Sequence, residues 1–165
     1  MLESTNLSDA PHTMQWPPAF TRYAALSWLL AGMAGQLVML VMIQGILPAL
    51  LGVRPPPAAL VRAIFSVPGL GQAILLQLSL TLAVLPLVFV YAARPFAWGV
   101  LPDMPWWLTG GLFGVWISLG ATTALALHGP LPAELEGFTL PVWPGLTAHG
   151  AYGVALSGIL HWRRS

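Results

Sequence analysis

His149 and Tyr152 are the residues best placed to do chemistry. They lie three apart, so a helix puts them on one face. They sit in an otherwise apolar stretch, residues 144–162, PGLTAHGAYGVALSGILHW. At about 1.5 Å per residue, His149 falls roughly 10 Å below the surface of a membrane crossed by this stretch. An imidazole at that depth can ligate the metal of a haem or chlorophyll, relay a proton, or make one hydrogen bond to Gln72, a backbone carbonyl or a partner subunit. The Tyr152 hydroxyl is expected to find a partner on a neighbouring helix. A haem held between helices needs a second axial ligand at matching depth. His128 falls near the outer end of the preceding apolar segment, His161 falls at the opposite surface, and His12 lies in the polar N-terminal arm, so none matches.

Four glutamines supply most of the remaining deep polarity: Gln36, Gln44, Gln72 and Gln77. Gln44 is expected roughly two turns beyond Gln36 on the same side. In lipid such amides hydrogen-bond neighbouring helices, and a line of them would also suit a small transporter or channel. No aspartate, glutamate, lysine or arginine falls inside an apolar span as the spans are read below. This argues against proton pumps, ion-coupled transport and paired-carboxylate hydrolysis, which place titrating groups at depth. The chain has no cysteine, no H-E-x-x-H, no G-x-S-x-G and no phosphate loop, so no metal centre and no enzyme activity are expected.

The elements that must position these residues are legible from composition. Of 165 residues, 57% are hydrophobic and 7% charged, against about 25% charged in a soluble domain. So little charge cannot cover a water-facing surface, and the chain reads as an integral membrane protein with short loops. All six basic residues are arginine and the net charge is +1, which offers no face for nucleic acid. The expected fold is all-α, a four-helix membrane bundle over residues 22–165, with spans at about 24–51, 68–93, 106–128 and 143–162. Residues 1–21 form a polar arm without the basic start and apolar run of a signal peptide. Residues 58–67 suit a short interfacial helix, with Leu60, Val61, Ile64 and Phe65 toward lipid and Arg62 toward water. Pro86 should kink the second span, and Arg94 and Pro95 should end it.

Glycines mark the faces expected to pack. Gly32 and Gly35 lie on the first span, Gly110 and Gly114 form G-x-x-x-G on the third, and Gly150 and Gly153 lie on the fourth. The motif Trp28-Leu-Leu-Ala-Gly-Met-Ala-Gly35 parallels Trp107-Leu-Thr-Gly-Gly-Leu-Phe-Gly114, and Pro-Gly-Leu opens both the second and fourth spans. Two repeated helical hairpins would produce this pattern, and so would chance alignment of glycine-rich apolar helices. Tryptophans sit mainly at span ends, as interfacial anchors do; Trp116 falls inside a span.

Arg22, Arg94, Arg163 and Arg164 fall on one side and Arg54 and Arg62 on the other, which predicts cytoplasmic termini; the membrane expected is a bacterial inner membrane. The pattern His149-Gly-Ala-Tyr152-Gly153, with glycine-rich first and third helices, resembles a loose group of four-helix bacterial membrane proteins. Some of these resemble accessory proteins of haem–copper oxidase systems. Gln72 and Gln77 stand where that group would carry a histidine, and the group supplies no catalytic residues. The resemblance implies an accessory subunit of a respiratory or other electron-transfer complex, with integral membrane subunits and lipid as partners. A haem- or chlorophyll-binding protein using His149 and a small transporter are the alternatives.

Overall fold

The computed structural model describes residues 21–52, 57–127 and 142–163, and among these the chain is all-helical. The arm before Thr21, His128, and the acidic loop with Glu134 and Glu136 lie outside the described residues. The described residues form five helices: α1 (22–51), α2 (Pro57–Phe65), α3 (Leu70–Val100), α4 (Trp106–Leu127) and α5 (Val142–Trp162). Thr21 caps α1: its hydroxyl oxygen accepts from the Ala24 N–H at 3.1 Å. Gly52, at φ +70°, stops α1 in the left-handed region that glycine tolerates.

Among the described residues three helices are long and apolar enough to cross a membrane: Arg22–Leu50, Leu70–Val100 and Trp106–Leu127. The expected fourth, α5, has 21 residues, enough for about 31 Å, yet it is less apolar. The reason is its position. From residue 144 to residue 160 only Thr147 is exposed, because α5 packs on α4 along one side and on α1 along another. A helix lined by protein needs small residues more than greasy ones. Ala148, Tyr152, Leu156 and Leu160 of α5 form the core with Trp28, Ala31 and Met39 of α1, Phe89 of α3 and Phe113 of α4.

Prolines shape α1 and α3 without ending them. Each of three π-helical turns, Met42–Ile46, Leu80–Val84 and Phe89–Ala93, closes two residues before a proline: Pro48, Pro86 and Pro95. A proline ring clashes with the carbonyl four residues back. Those carbonyls belong to Gln44, Leu82 and Tyr91, the middle residue of each widened turn. The wider turn opens the helix there, and the residue before each proline bonds five residues back: Leu47 to Met42 O, Leu85 to Leu80 O and Arg94 to Phe89 O. The expected end of the second span at Ala93 is therefore corrected. The helix passes through Arg94 and Pro95 to Val100, and Arg94 is buried within it.

Two further expectations are revised. Trp28 is not an interfacial anchor: it is buried edge-on to Tyr91, with ring centroids 5.5 Å apart. The apolar face of α2 is only partly outward: Phe65 is exposed, but Leu60 and Ile64 turn inward. Leu60 and Ile64 pack around Ala63 and Leu125 of α4. Gly35 and Gly114, equivalent in the hairpin alignment, both pack on α5 and so do not occupy equivalent surroundings.

The α4–α5 seam is backbone against backbone. A Cβ on Gly114 would overlap the His149 carbonyl and lie 2.8 Å from Gly150 Cα, whereas a Cβ on Gly150 would meet nothing within 4 Å. Gly114→Val should therefore lower stability in detergent unfolding by at least about 1–3 kcal/mol, the usual cost of overpacking, while Gly150→Ala should leave it unchanged. Equal effects would mean that the seam is not packed this way.

Candidate functional site

The centre of the site is a carbonyl that its own helix cannot serve. Thr81 O would normally accept from the Leu85 N–H, but that donor turns to Leu80 O. The donor one residue on is Pro86, which has no N–H. Tyr152 supplies the missing bond: its hydroxyl donates to Thr81 O at 2.7 Å, across from α5 to α3. Two glycines of α1 admit this contact. A Cβ on Gly35 would lie 2.7 Å from the Tyr152 ring, and one on Gly32 would lie 2.7 Å from Leu82 O and 2.9 Å from Thr81 O. Tyr152 is fully buried, its hydrogen bond ties α5 to α3, and its ring packs on Gly35 of α1.

One turn earlier on α5, His149 faces a cavity of about 350 Å³. This volume lies at the small end of ligand pockets, which run about 300–1,000 Å³. Met39 and Ile43 of α1, Leu85 of α3 and Ile117 of α4 give it apolar walls, and Leu60 and Ile64 of α2 close it. His149 Nδ1 lies 2.8 Å from the Gly145 carbonyl oxygen. A carbonyl only accepts, so Nδ1 donates, and in the neutral ring Nε2 keeps its lone pair. The other polar lining groups are Gln77, Thr81, Ser118 and Thr122. The threonine hydroxyls donate to their own helices, Thr81 to Gln77 O at 2.9 Å and Thr122 to Ser118 O at 2.9 Å. The imidazole, the Gln77 amide and the Ser118 hydroxyl are thus the groups left to orient a bound molecule.

The expected polar residues separate. Gln77 shares the His149 cavity, whereas Gln72, expected opposite His149, is exposed in the first turn of α3. Gln36 is buried, and its Oε1 has no hydrogen-bond partner among the described residues. Gln44 is exposed, because it sits in the π turn that breaks the α-helical spacing from Gln36. The four glutamines therefore do not line one path. Gly110 and Gly153 meet at the α4–α5 seam, where a Cβ on either would overlap the other's carbonyl oxygen. Among the described residues no group of three or more His, Asp or Glu side chains could hold a metal ion. His161 stacks on Trp106 at the far end, with centroids 5.7 Å apart.

The chain matches no protein family, curated protein or solved structure with which it was compared.

Thr81 and Arg94 were not singled out in the sequence as site residues. Pro86 signals that a carbonyl on the preceding turn lacks a donor, and the widened turn decides that it is Thr81 O. The signal for Arg94 was masked by the proline after it.

Tyr152→Phe should cost about 1–2 kcal/mol in reversible unfolding, because a buried carbonyl loses its donor. Pro86→Ala restores a main-chain N–H beside that carbonyl, so in that background Tyr152→Phe should cost measurably less. A double-mutant cycle with no coupling would refute this account of Thr81.

Proposed function

We propose that this chain is a non-catalytic subunit of a larger membrane assembly, crossing a bacterial inner membrane four times with both termini cytoplasmic. The carrying observation is the exposure of its spans. Only 28–33% of the best 18-residue window of each of the three apolar helices is buried within the chain. Trp116, in mid-α4 and 70% exposed, stands among the exposed Leu112 and Leu119. Lipid covers such a face, but a large indole away from the headgroup level is the kind of residue that anchors protein interfaces. The hub position of α5 between α1 and α4 supports counting it as the fourth span. The resemblance drawn from His149, Tyr152 and Gly153 favours a respiratory or other electron-transfer complex as the assembly.

A second reading is favoured by the His149 cavity: the subunit holds a small, mostly apolar molecule that donates a hydrogen bond to Nε2. Haem or chlorophyll ligated by His149 is the metal-bearing form of the same reading. Met39 is the one other soft ligand on the cavity wall, and no second histidine of the described residues lines it.

Purification of the tagged chain from native membranes in mild detergent should recover other integral membrane subunits in stoichiometric amounts, and Trp116→Ala should reduce that recovery. A monodisperse monomer obtained alone would overturn the subunit reading. Solvent extraction of the same sample, followed by mass spectrometry and a visible spectrum, should yield an apolar molecule that His149→Ala loses. A colourless sample removes the haem and chlorophyll form, and an empty extract removes the second reading altogether.

A further inference from the structure

The polar groups of the His149 cavity stand in an order that the proposed function does not use. Helices α3 and α5 run the same way through the bundle. Gln77 and Thr81 of α3 share this cavity with Gly145 and His149 of α5. Arg94 and Trp98 of α3 share a second cavity, of about 510 Å³ at the other end, with Ser157 and His161 of α5. His149 lies three residues before Tyr152 and Gln77 four before Thr81, and the Tyr152 hydroxyl is bonded to Thr81 O. His149 and Gln77 therefore stand at one level, a turn away from that bond, on two helices that both line the cavity. Ser118 of α4 lies one turn nearer α2, where a Cβ on Gly145 would come 2.9 Å from its Oγ. Among the described residues no charged side chain lines the cavity. Phe65 of α2 and Gly120 and Thr122 of α4 are exposed lining residues, so the cavity opens sideways between these helices.

The donor and acceptor roles narrow the ligand. His149 Nδ1 donates to Gly145 O at 2.8 Å, so Nε2 of the neutral ring only accepts. The Gln77 amide has N–H donors as well as an accepting oxygen. One hydroxyl between them donates to Nε2 and accepts from the Gln77 N–H, so a single oxygen serves both groups. An ether or carbonyl oxygen accepts from Gln77 but leaves Nε2 without a donor. A site built around a hydroxyl rejects the analogue lacking it for this reason. A carboxylate or an ammonium would enter with no opposite charge to meet it. The aliphatic walls of Met39, Ile43, Leu85 and Ile117 suit a hydrocarbon body, and the opening between α2 and α4 lets its tail leave the bundle. We propose that this cavity selects a neutral, apolar hydroxyl compound over the ether or carbonyl compound of the same skeleton, with His149 Nε2 as the discriminating acceptor. This selectivity rests on the cavity holding an apolar molecule at all, as in the second reading above. A membrane alcohol and a hydroquinone share the chemistry; the hydroquinone carries a further hydroxyl, which Ser118 is placed to meet.

The test is competition for photolabelling of the full chain in phosphatidylcholine liposomes. The probe is decanol carrying a diazirine near its tail, and mass spectrometry should locate its label on wall residues such as Leu60 and Ile117. Decanol and its isomer nonyl methyl ether then compete at equal concentration in the lipid. Decanol should compete about tenfold better, the effect of one buried acceptor gaining its donor. Gln77→Leu should weaken both isomers and keep their ratio, while His149→Leu should abolish the ratio. Equal competition by the isomers on the wild type, or a ratio lost in Gln77→Leu, would overturn the proposal whether or not His149→Leu folds. A ratio kept in a folded His149→Leu would overturn it as well. A cavity that takes no label would overturn the second reading together with the selectivity, whereas equal competition overturns the selectivity alone. Duroquinol and duroquinone, which differ by two hydrogens, separate the sources. Duroquinol that outcompetes decanol, and loses that advantage in Ser118→Ala, assigns the site to a hydroquinone; decanol that outcompetes duroquinol assigns it to a membrane alcohol. Duroquinone that competes as well as duroquinol would overturn the proposal.

Discussion

The bundle depends on one backbone carbonyl being served from outside its own helix. In an apolar interior an unpaired carbonyl costs more than most side-chain contacts return. Pro86 removes the donor that Thr81 O would use, and the widened turn before it sends the neighbouring donor to Leu80. Tyr152 then becomes a structural requirement, and its position fixes that of α5. Because the tyrosine ring must reach past α1, Gly32 and Gly35 have to lack side chains. One hydrogen bond thereby dictates residue choice on three helices.

The two cavities follow from this geometry. Tyr152 and Phe89 fill the middle of the bundle, and the space that remains lies toward either end. Toward the end covered by α2, the walls are apolar and the polar groups few, with an imidazole fixed in one tautomer by Gly145. Toward the arginine-bearing end, the walls are aromatic and charged.

Much of this was legible in the sequence where one physical rule dominates. Low charge and long apolar runs gave all-helical elements. The three-residue spacing of His149 and Tyr152 put both on the inward side of α5, and G-x-x-x-G at Gly110 and Gly114 fell at the close seam with α5. The losses came where two rules compete. Proline after arginine looks like a helix end, but a π turn absorbs the ring clash and the helix continues to Val100. The same kind of turn upset the spacing of Gln44 from Gln36. The α5 helix fell short in apolarity because a helix enclosed by protein is chosen for closeness of approach and not for greasiness.

The π turns also have a meaning for how the chain could change. Each holds one residue more per hydrogen-bonded loop than an α turn, so it acts as a spliced-in insertion whose rotation is passed to every residue beyond it. Arg94 lies past two such turns on α3. Losing a single residue from either would swing Arg94 and Trp98 together around the helix axis relative to α4 and α5, with no alteration of the arginine itself. The angular phase of α3 is therefore a heritable trait in its own right, one that length variation rather than substitution would tune.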